Sequence, residues 1–204
     1  MDVNYLVVKR LLDVILSLIA LVVISPLIAI CMLLIYIEDR GNPIYKQQRI
    51  GENGVPFTFY KLRTMRVNAD KERGHHEIEN INESDGPVFK IKDDPRITKI
   101  GKILRKTCID ELPQLVNILK NEMSIVGPRP ALPNEVACYN EYQKQRLNCK
   151  PGLTCYWQVT PKRNDVPFDE WVEMDLKYIN NISLKTDAIL VLKTFKIIFT
   201  LDSR

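Results

Sequence analysis

Residues 14–37 read VILSLIALVVISPLIAICMLLIYI, and this stretch carries no charged residue. As a straight helix it would measure about 36 Å, enough to cross a bilayer core of roughly 30 Å. It exceeds the ~7–15 residues of a signal-peptide core, and no small-residue cleavage site follows it. Ser25-Pro26 stands in its middle. Proline removes a helical hydrogen bond and crowds the preceding turn, so a kink is expected there. The Ser25 hydroxyl is placed to bond a carbonyl freed by the proline. The flanks are alike in charge, with Lys9 and Arg10 before the run and Arg40, Lys46 and Arg49 after it. The positive-inside tendency then favours both ends on the cytoplasmic side. The residues leave two topologies open: a spanning helix containing a proline, and a re-entrant helix that enters, bends at Ser25-Pro26 and returns. Asp13, three and four residues from Arg10 and Lys9, is expected to form an ion pair with them.

The chain divides accordingly into a membrane helix over residues 1–40 and a second part over residues 41–204. Ile44-Tyr45 and Phe57-Thr58-Phe59-Tyr60 are strand-like around the turn signal Gly51-Glu52-Asn53-Gly54, which predicts a small β-hairpin. Residues 66–86 are polar and read as a surface loop. His75-His76 within it reads as a solvated pair. Asp93-Asp94-Pro95-Arg96-Ile97-Thr98 reads as a turn entering a helix whose face carries Ile97, Ile100, Ile103 and Leu104. Leu112, Leu115, Val116 and Leu119 mark a second helical face. Gly127-Pro128-Arg129-Pro130 must be a rigid non-helical turn. Helices are predicted over 139–147, 169–179 and 187–199. The last is apolar apart from Lys193, Thr194 and Lys196, and fits either a core helix or an amphipathic helix at a membrane interface. The fold class is therefore α+β and mostly helical.

The 204 residues suffice for one domain with a real core. A net charge of +4 fits an anionic membrane surface or anionic substrates. It does not point to nucleic acid, because the chain has no basic helix interleaved with aromatics and no zinc-finger spacing. Five cysteines, none in a C-x-x-C pair, form neither a disulfide framework nor a zinc site.

Asp110-Glu111 carries the chemistry. The plainest reading makes Asp110 the N-cap of a helix starting at Glu111, with Pro113 tolerated in the first turn. Against that, adjacent carboxylates repel unless a cation intervenes, and such oxygen ligands suit Mg2+. Lys61, Arg105, Arg129 and Arg163 can add positive charge. A carboxylate attacking phosphorus needs that charge to be neutralised, by a metal or by arginines. Beside a membrane segment, the parts suit metal-assisted chemistry on a phosphorylated lipid.

Taken together, these stretches resemble the monotopic polyprenyl-phosphate phosphoglycosyl transferases, the bacterial sugar transferase family. The matching runs are Lys9-Arg10 with Asp13, Ser25-Pro26, Tyr60 through Met65, Asp94 through Thr98, Arg105 through Leu115, Met123 through Pro130, and Pro151-Gly152-Leu153-Thr154 with Gln158. The resemblance implies a re-entrant anchor and a catalytic domain on the cytoplasmic face of the bacterial inner membrane. It implies transfer of a phosphosugar from a nucleotide sugar, usually a UDP-sugar, to undecaprenyl phosphate, with release of UMP. Asp110 would be the nucleophile that forms a covalent phosphosugar intermediate. Glu111 would assist, with Mg2+ held at Asp110 and Glu111. Lys61, Arg105 and Arg129 would serve the phosphates or hold the site together. Members often carry a Gly-Arg pair after the glutamine-valine step. Here Gln158-Val159-Thr160-Pro161-Lys162-Arg163 lacks the glycine, so the arginine role falls to Arg163, with Lys162 as second choice. Cys108 stands where serine is common. The resemblance is to the small form, with the catalytic core only. A metal-dependent hydrolase of nucleotide sugars or lipid pyrophosphates would use the same carboxylates. A basic membrane scaffold would not need Asp110. The identity of the sugar, the oligomeric state and the glycan pathway are not encoded legibly.

Overall fold

The computed structural model describes residues 3–69, 86–88, 91, 94–161 and 163–200. His75, His76 and Lys162, and most of the polar segment 66–86, lie outside the described residues.

The apolar run lies within one helix, α1 (Val3–Asp39), of 37 residues and about 55 Å long. It is the one helix among the described residues long and apolar enough to cross a membrane. Its buried and half-buried positions follow helical spacing along the whole length: Asp13, Ser17, Leu21, Ile24, Ile28, Cys31 and Ile35. This stripe packs against the rest of the protein. The opposite face stays open, with Val22 69% and Val23 71% exposed.

The helix runs on through Ser25-Pro26, and the proline there interrupts its hydrogen bonding. A proline at 26 cannot donate to the carbonyl of Val22, four residues back. Ser25 Oγ donates to that oxygen instead, at 2.9 Å.

Both ends of α1 are fastened to the remaining chain. Arg10 donates to the carbonyls of Ile118 (2.6 Å) and Leu119 (3.0 Å). Asp13 Oδ1 accepts the backbone N–H of Ile125 at 3.0 Å, and Lys9 pairs with Asp187 at 2.7 Å. The expected pairing of Asp13 with Lys9 and Arg10 therefore does not form: each finds a partner distant in sequence. At the other end Glu38 accepts the N–H of Lys99 at 2.8 Å. Asp39 takes the Arg63 guanidinium at 2.8 Å and the N–H of Val67 at 2.7 Å.

The predicted hairpin is present. β1 (Ile44–Ile50) pairs antiparallel with β2 (Pro56–Leu62), from Ile44 opposite Leu62 to Ile50 opposite Pro56. Its turn places Asn53 and Gly54 at positive φ, 55° and 78°, which suits these residue types. Strand alternation puts Phe57, Phe59 and Lys61 on one face. α2 (Lys99–Lys106) starts at Thr98, whose side chain accepts the N–H of Gly101 at 2.9 Å. α3 (Gln114–Leu119) follows. Its inward face is Gln114, Leu115, Asn117 and Ile118, while Val116 is 37% exposed. The apolar spacing misplaced this face because Asn117 is a tie to β2. It donates to Thr58 O at 2.6 Å and accepts the N–H of Tyr60 at 3.2 Å.

β3 (Ser124–Val126) and β4 (Gly152–Thr154) pair in parallel. The contact is so close that a Cβ on Gly127 would strike the Lys150 carbonyl, and one on Gly152 would strike the Gly127 backbone. Glycine is required at both places, and their contact fixes the turn that carries Arg129. α4 (Pro133–Ala137), α5 (Glu141–Lys144), α6 (Phe168–Asn180) and α7 (Leu184–Thr200) complete the order. α7 buries Leu190 against Val126 and Tyr178. It leaves Leu192 69% and Phe195 55% exposed, so it is both a core helix and an open apolar surface.

Candidate active site

α2 ends at Thr107, where the chain turns sharply. Cys108 has φ 56° and ψ 14°, a left-handed backbone that costs a non-glycine residue about 1–3 kcal/mol. The reversal sends Ile109 into a cluster with Leu62, Leu104, Cys31 and Ile35. It places Asp110 and Glu111 in a short 3-10 turn, Ile109–Glu111. α3 begins only at Gln114, with Pro113 at its N-cap. The N-cap expectation for Asp110 is thereby overturned: its side chain is turned inward, 2% exposed, and pairs with Lys61 Nζ at 2.5 Å.

Two core contacts frame this pair. Lys61 precedes Leu62, and Asp110 follows Ile109. Leu62 and Ile109 both pack in the cluster that contains Cys31 and Ile35 of α1. The carboxylate at 110 is thus one residue removed from the core shared with the apolar helix.

Glu111 Oε2 accepts from Gln158 Nε2 at 3.4 Å. Burial raises the Glu111 carboxyl above its ordinary range; Lys61 opposes this, the Asp110 charge adds to it, and Arg163 and Arg129 oppose it. Burial likewise raises the Cys108 thiol, followed by the charge of Glu111, with Arg163 in opposition. Among the predicted residues, Lys61 pairs with Asp110, and the charges of Arg163 and Arg129 act on Glu111. Arg105 donates through Nε to Thr64 Oγ1 at 2.9 Å, which ties the end of α2 to the segment leaving β2.

Two features have no signature in the sequence. Trp157 and Trp171 stack with ring centroids 4.1 Å apart. Arg163 lies over Trp157 at 5.6 Å and Arg129 over Trp171 at 5.5 Å. The indole pair is a platform holding these two arginines by cation–π attraction, and Arg146 also lies over Trp171 at 5.5 Å. The Arg163 position is fixed further by Trp157 Nε1, which donates to the Arg163 carbonyl at 2.8 Å. The second feature is Arg49, 8% exposed. It donates to Pro130 O at 2.9 Å and to Gln47 Oε1 at 2.7 Å. Burial lowers its pKa to about 9, with the nearby charge of Arg129 acting in the same direction. No sequence spacing links Arg49 to Arg129; only the tertiary fold does.

Among the described residues there is no group of three or more His, Cys, Asp or Glu side chains that could enclose a metal. Asp110 and Glu111 supply two adjacent hard oxygen donors. That set fits Mg2+, which is commonly held by one or two carboxylates with substrate phosphates and water completing its sphere. Burial raises Glu111 and the Asp110 charge adds to it; a divalent cation held there would offset that added charge.

The bacterial sugar transferase family profile matches residues 4–201. The chain is 44% identical over 195 residues to a galactosyl transferase, CpsE, of Streptococcus agalactiae, covering 96% of this chain and 43% of the relative. It is 42% identical over 188 residues to the exopolysaccharide production protein ExoY of Sinorhizobium fredii, covering 91% and 83%. It is 38% identical over 207 residues to an undecaprenyl-phosphate galactose phosphotransferase of Salmonella typhimurium, covering 95% and 41%. The chain thus spans less than half the length of the first and third of these relatives and most of the second.

Proposed function

The chain belongs to the bacterial sugar transferase family, and on that premise we propose that it transfers a sugar phosphate from a UDP-sugar to undecaprenyl phosphate. An oxygen of the Asp110 carboxylate attacks the phosphorus that bears the sugar. The bond from that phosphorus to the bridging oxygen breaks, and UMP leaves with the electron pair. A phosphate oxygen of undecaprenyl phosphate then attacks the same phosphorus. The Asp110 carboxylate is released and the sugar is left on a lipid diphosphate. The relatives named for galactose transfer and exopolysaccharide production support a role in starting a surface glycan.

The observation that carries this reading is the placement of Asp110: buried, ion-paired to Lys61 and one residue from the core of the apolar helix. Lys61, Arg129 and Arg163 offset the charge of the phosphoryl oxygens as the carboxylate approaches. Glu111, held by Gln158, sits beside the nucleophile. Mg2+, held by Asp110 and Glu111, would supply further charge neutralisation for a diphosphate.

Re-entrant topology is part of the same proposal. Lys9, Arg10 and Asp13 at one end of α1, and Glu38 and Asp39 at the other, bond to the same polar body. A helix standing upright across the bilayer would carry its two ends to opposite faces. With both ends docked on one side, α1 is anchored within one leaflet. Residues 41–204 form the catalytic domain on the cytoplasmic face of the inner membrane. The outward apolar residues of α7, Leu192 and Phe195, add a contact with lipid. Cysteines introduced at positions 4 and 41 should both label from the cytoplasmic side; labelling from opposite sides would contradict this topology.

The reaction is tested with a panel of UDP-sugars, undecaprenyl phosphate and Mg2+, scored by UMP release. Release with one donor, dependent on the lipid phosphate, is expected. Free sugar phosphate formed without the lipid would replace transfer by hydrolysis.

A further inference from the structure

We propose that Arg49 is a positioning residue for nucleotide-sugar binding, acting through Arg129; the inference rests on the reaction proposed above. Arg49 and its neighbour clamp the turn that carries Arg129 from two directions. The guanidinium donates to Pro130 O at 2.9 Å, and the backbone N–H of Ile50 donates to Ala131 O at 2.9 Å. The residues held are the two that follow Arg129. The second terminal nitrogen of Arg49 donates to Gln47 Oε1 at 2.7 Å, and the guanidinium carbon lies 5.3 Å from the centre of the Phe59 ring.

A carbonyl acceptor at Pro130 does not by itself call for an arginine. What is unusual is a buried cation whose Nε has no hydrogen-bond partner among the described residues, placed within the field of a second cation, Arg129. Desolvating one guanidinium beside another opposes folding. The acidic charges that bear on it, after Arg129, are Glu135 and Glu111. Glu135 is engaged by the N–H of Leu132 at 2.8 Å, and Glu111 belongs to the reactive pair. The arrangement becomes favourable when an anion arrives at Arg129. A diphosphate is the anion that the site is otherwise built to receive. Arg49 thus serves Arg129 twice, by fixing its backbone and by keeping local charge positive.

A double-mutant cycle tests this. Arg49→Met, Arg129→Ala and the double variant are compared for UDP affinity by calorimetry, for kcat/KM with the active UDP-sugar, and for melting temperature. Arg49→Met should weaken UDP binding by about 10- to 100-fold in the wild-type background and by less than about threefold with Arg129→Ala, as expected for coupled sites. The loss in kcat/KM should lie mainly in KM, and Arg49→Lys, which keeps the cation and a donor for Pro130, should recover most of it. Equal losses in both backgrounds, or a loss that merely follows melting temperature, would overturn the assignment. If Arg49→Met does not fold, Arg49→Lys carries the same cycle with a smaller expected loss. A coupled UDP-binding cycle without UMP release would strike the proposed reaction and leave Arg49 in place. An additive cycle with normal UMP release would do the reverse.

Discussion

Two of the buried acid–cation pairs in this protein, Asp110–Lys61 and Asp175–Arg146, differ in one respect that separates chemistry from architecture. Asp110 meets Lys61 at 2.5 Å, with side chains 3% and 24% exposed. Asp175 meets Arg146 at 2.6 Å, with side chains 1% and 3% exposed. Around Arg146 stand Tyr139, Phe168 and Trp171, at 5.5, 5.8 and 5.5 Å from its guanidinium. Nothing can reach that pair without unfolding the aromatic cluster. At Asp110 the cation is partly open to solvent, the acid sits on a strained turn behind Cys108, and further cations stand nearby. A sealed pair can only hold parts together, whereas a pair open on its cationic side can exchange its counter-ion for a phosphate.

The largest expected effect separates the two pairs most sharply. Asp110→Asn should lower UMP release by about 10⁴-fold or more, the scale seen when a nucleophile is removed. Its melting temperature should stay close to wild type, because Lys61 can turn to water. A large drop in melting with modest loss of turnover would erase the distinction between the pairs. Arg146→Met should do the opposite. Leaving Asp175 buried without its partner should cost about 3–5 kcal/mol, or roughly 6–20 °C in melting temperature for a chain of this size. Turnover per folded molecule should remain within a few-fold of wild type.

The third prediction concerns pH. Burial raises Asp175 to about 6, against the attraction of Arg146. A carboxyl whose folded pKa lies above its unfolded value stabilises the fold at acid pH, and that contribution is lost as pH rises through the folded pKa. Stability of the wild type relative to Asp175→Asn should therefore fall by up to about 3 kcal/mol between pH 4 and 6, since each tenfold change in proton affinity is worth about 1.4 kcal/mol. Parallel pH–stability curves for the two proteins would show that Arg146 already balances the burial. The smallest effect belongs to the apolar helix. Ser25→Ala should cost about 0.5–1.5 kcal/mol, the worth of the hydrogen bond to Val22, without changing how either end of α1 labels. A larger loss would make Ser25 part of the anchor's shape as well as a patch on its backbone.

Local signals were legible in the sequence. Phe57 and Phe59 alternate beside a Gly-Glu-Asn-Gly turn, so the hairpin could be placed. The apolar spacing of Ile100, Ile103 and Leu104 after a turn-like segment placed α2. The apolar run, its proline and the serine that repairs it were readable because the repair is local. Signals that depend on distant partners were not. Asp13 and Lys9 were expected to pair with near neighbours, yet Ile125 and Asp187 take them. Asp110 carried the sequence pattern of an N-cap, yet the left-handed Cys108 delays α3 and turns the carboxylate inward. The arginines' Trp157–Trp171 platform and the clamp by Arg49 join segments far apart in the chain, where no spacing rule applies. The chemistry-bearing residues were visible as types; the fold alone says which of them meet.

The decisive experiment traps the first half of the reaction. The protein is incubated with its UDP-sugar, labelled in the sugar, and with Mg2+ but no lipid phosphate, then quenched and mapped by peptide mass. The expected result is one phosphosugar adduct per active site on Asp110, formed with a matching burst of UMP and discharged by undecaprenyl phosphate. A stable adduct on any other residue, or a UMP burst that survives Asp110→Asn, would contradict the central role of that carboxylate.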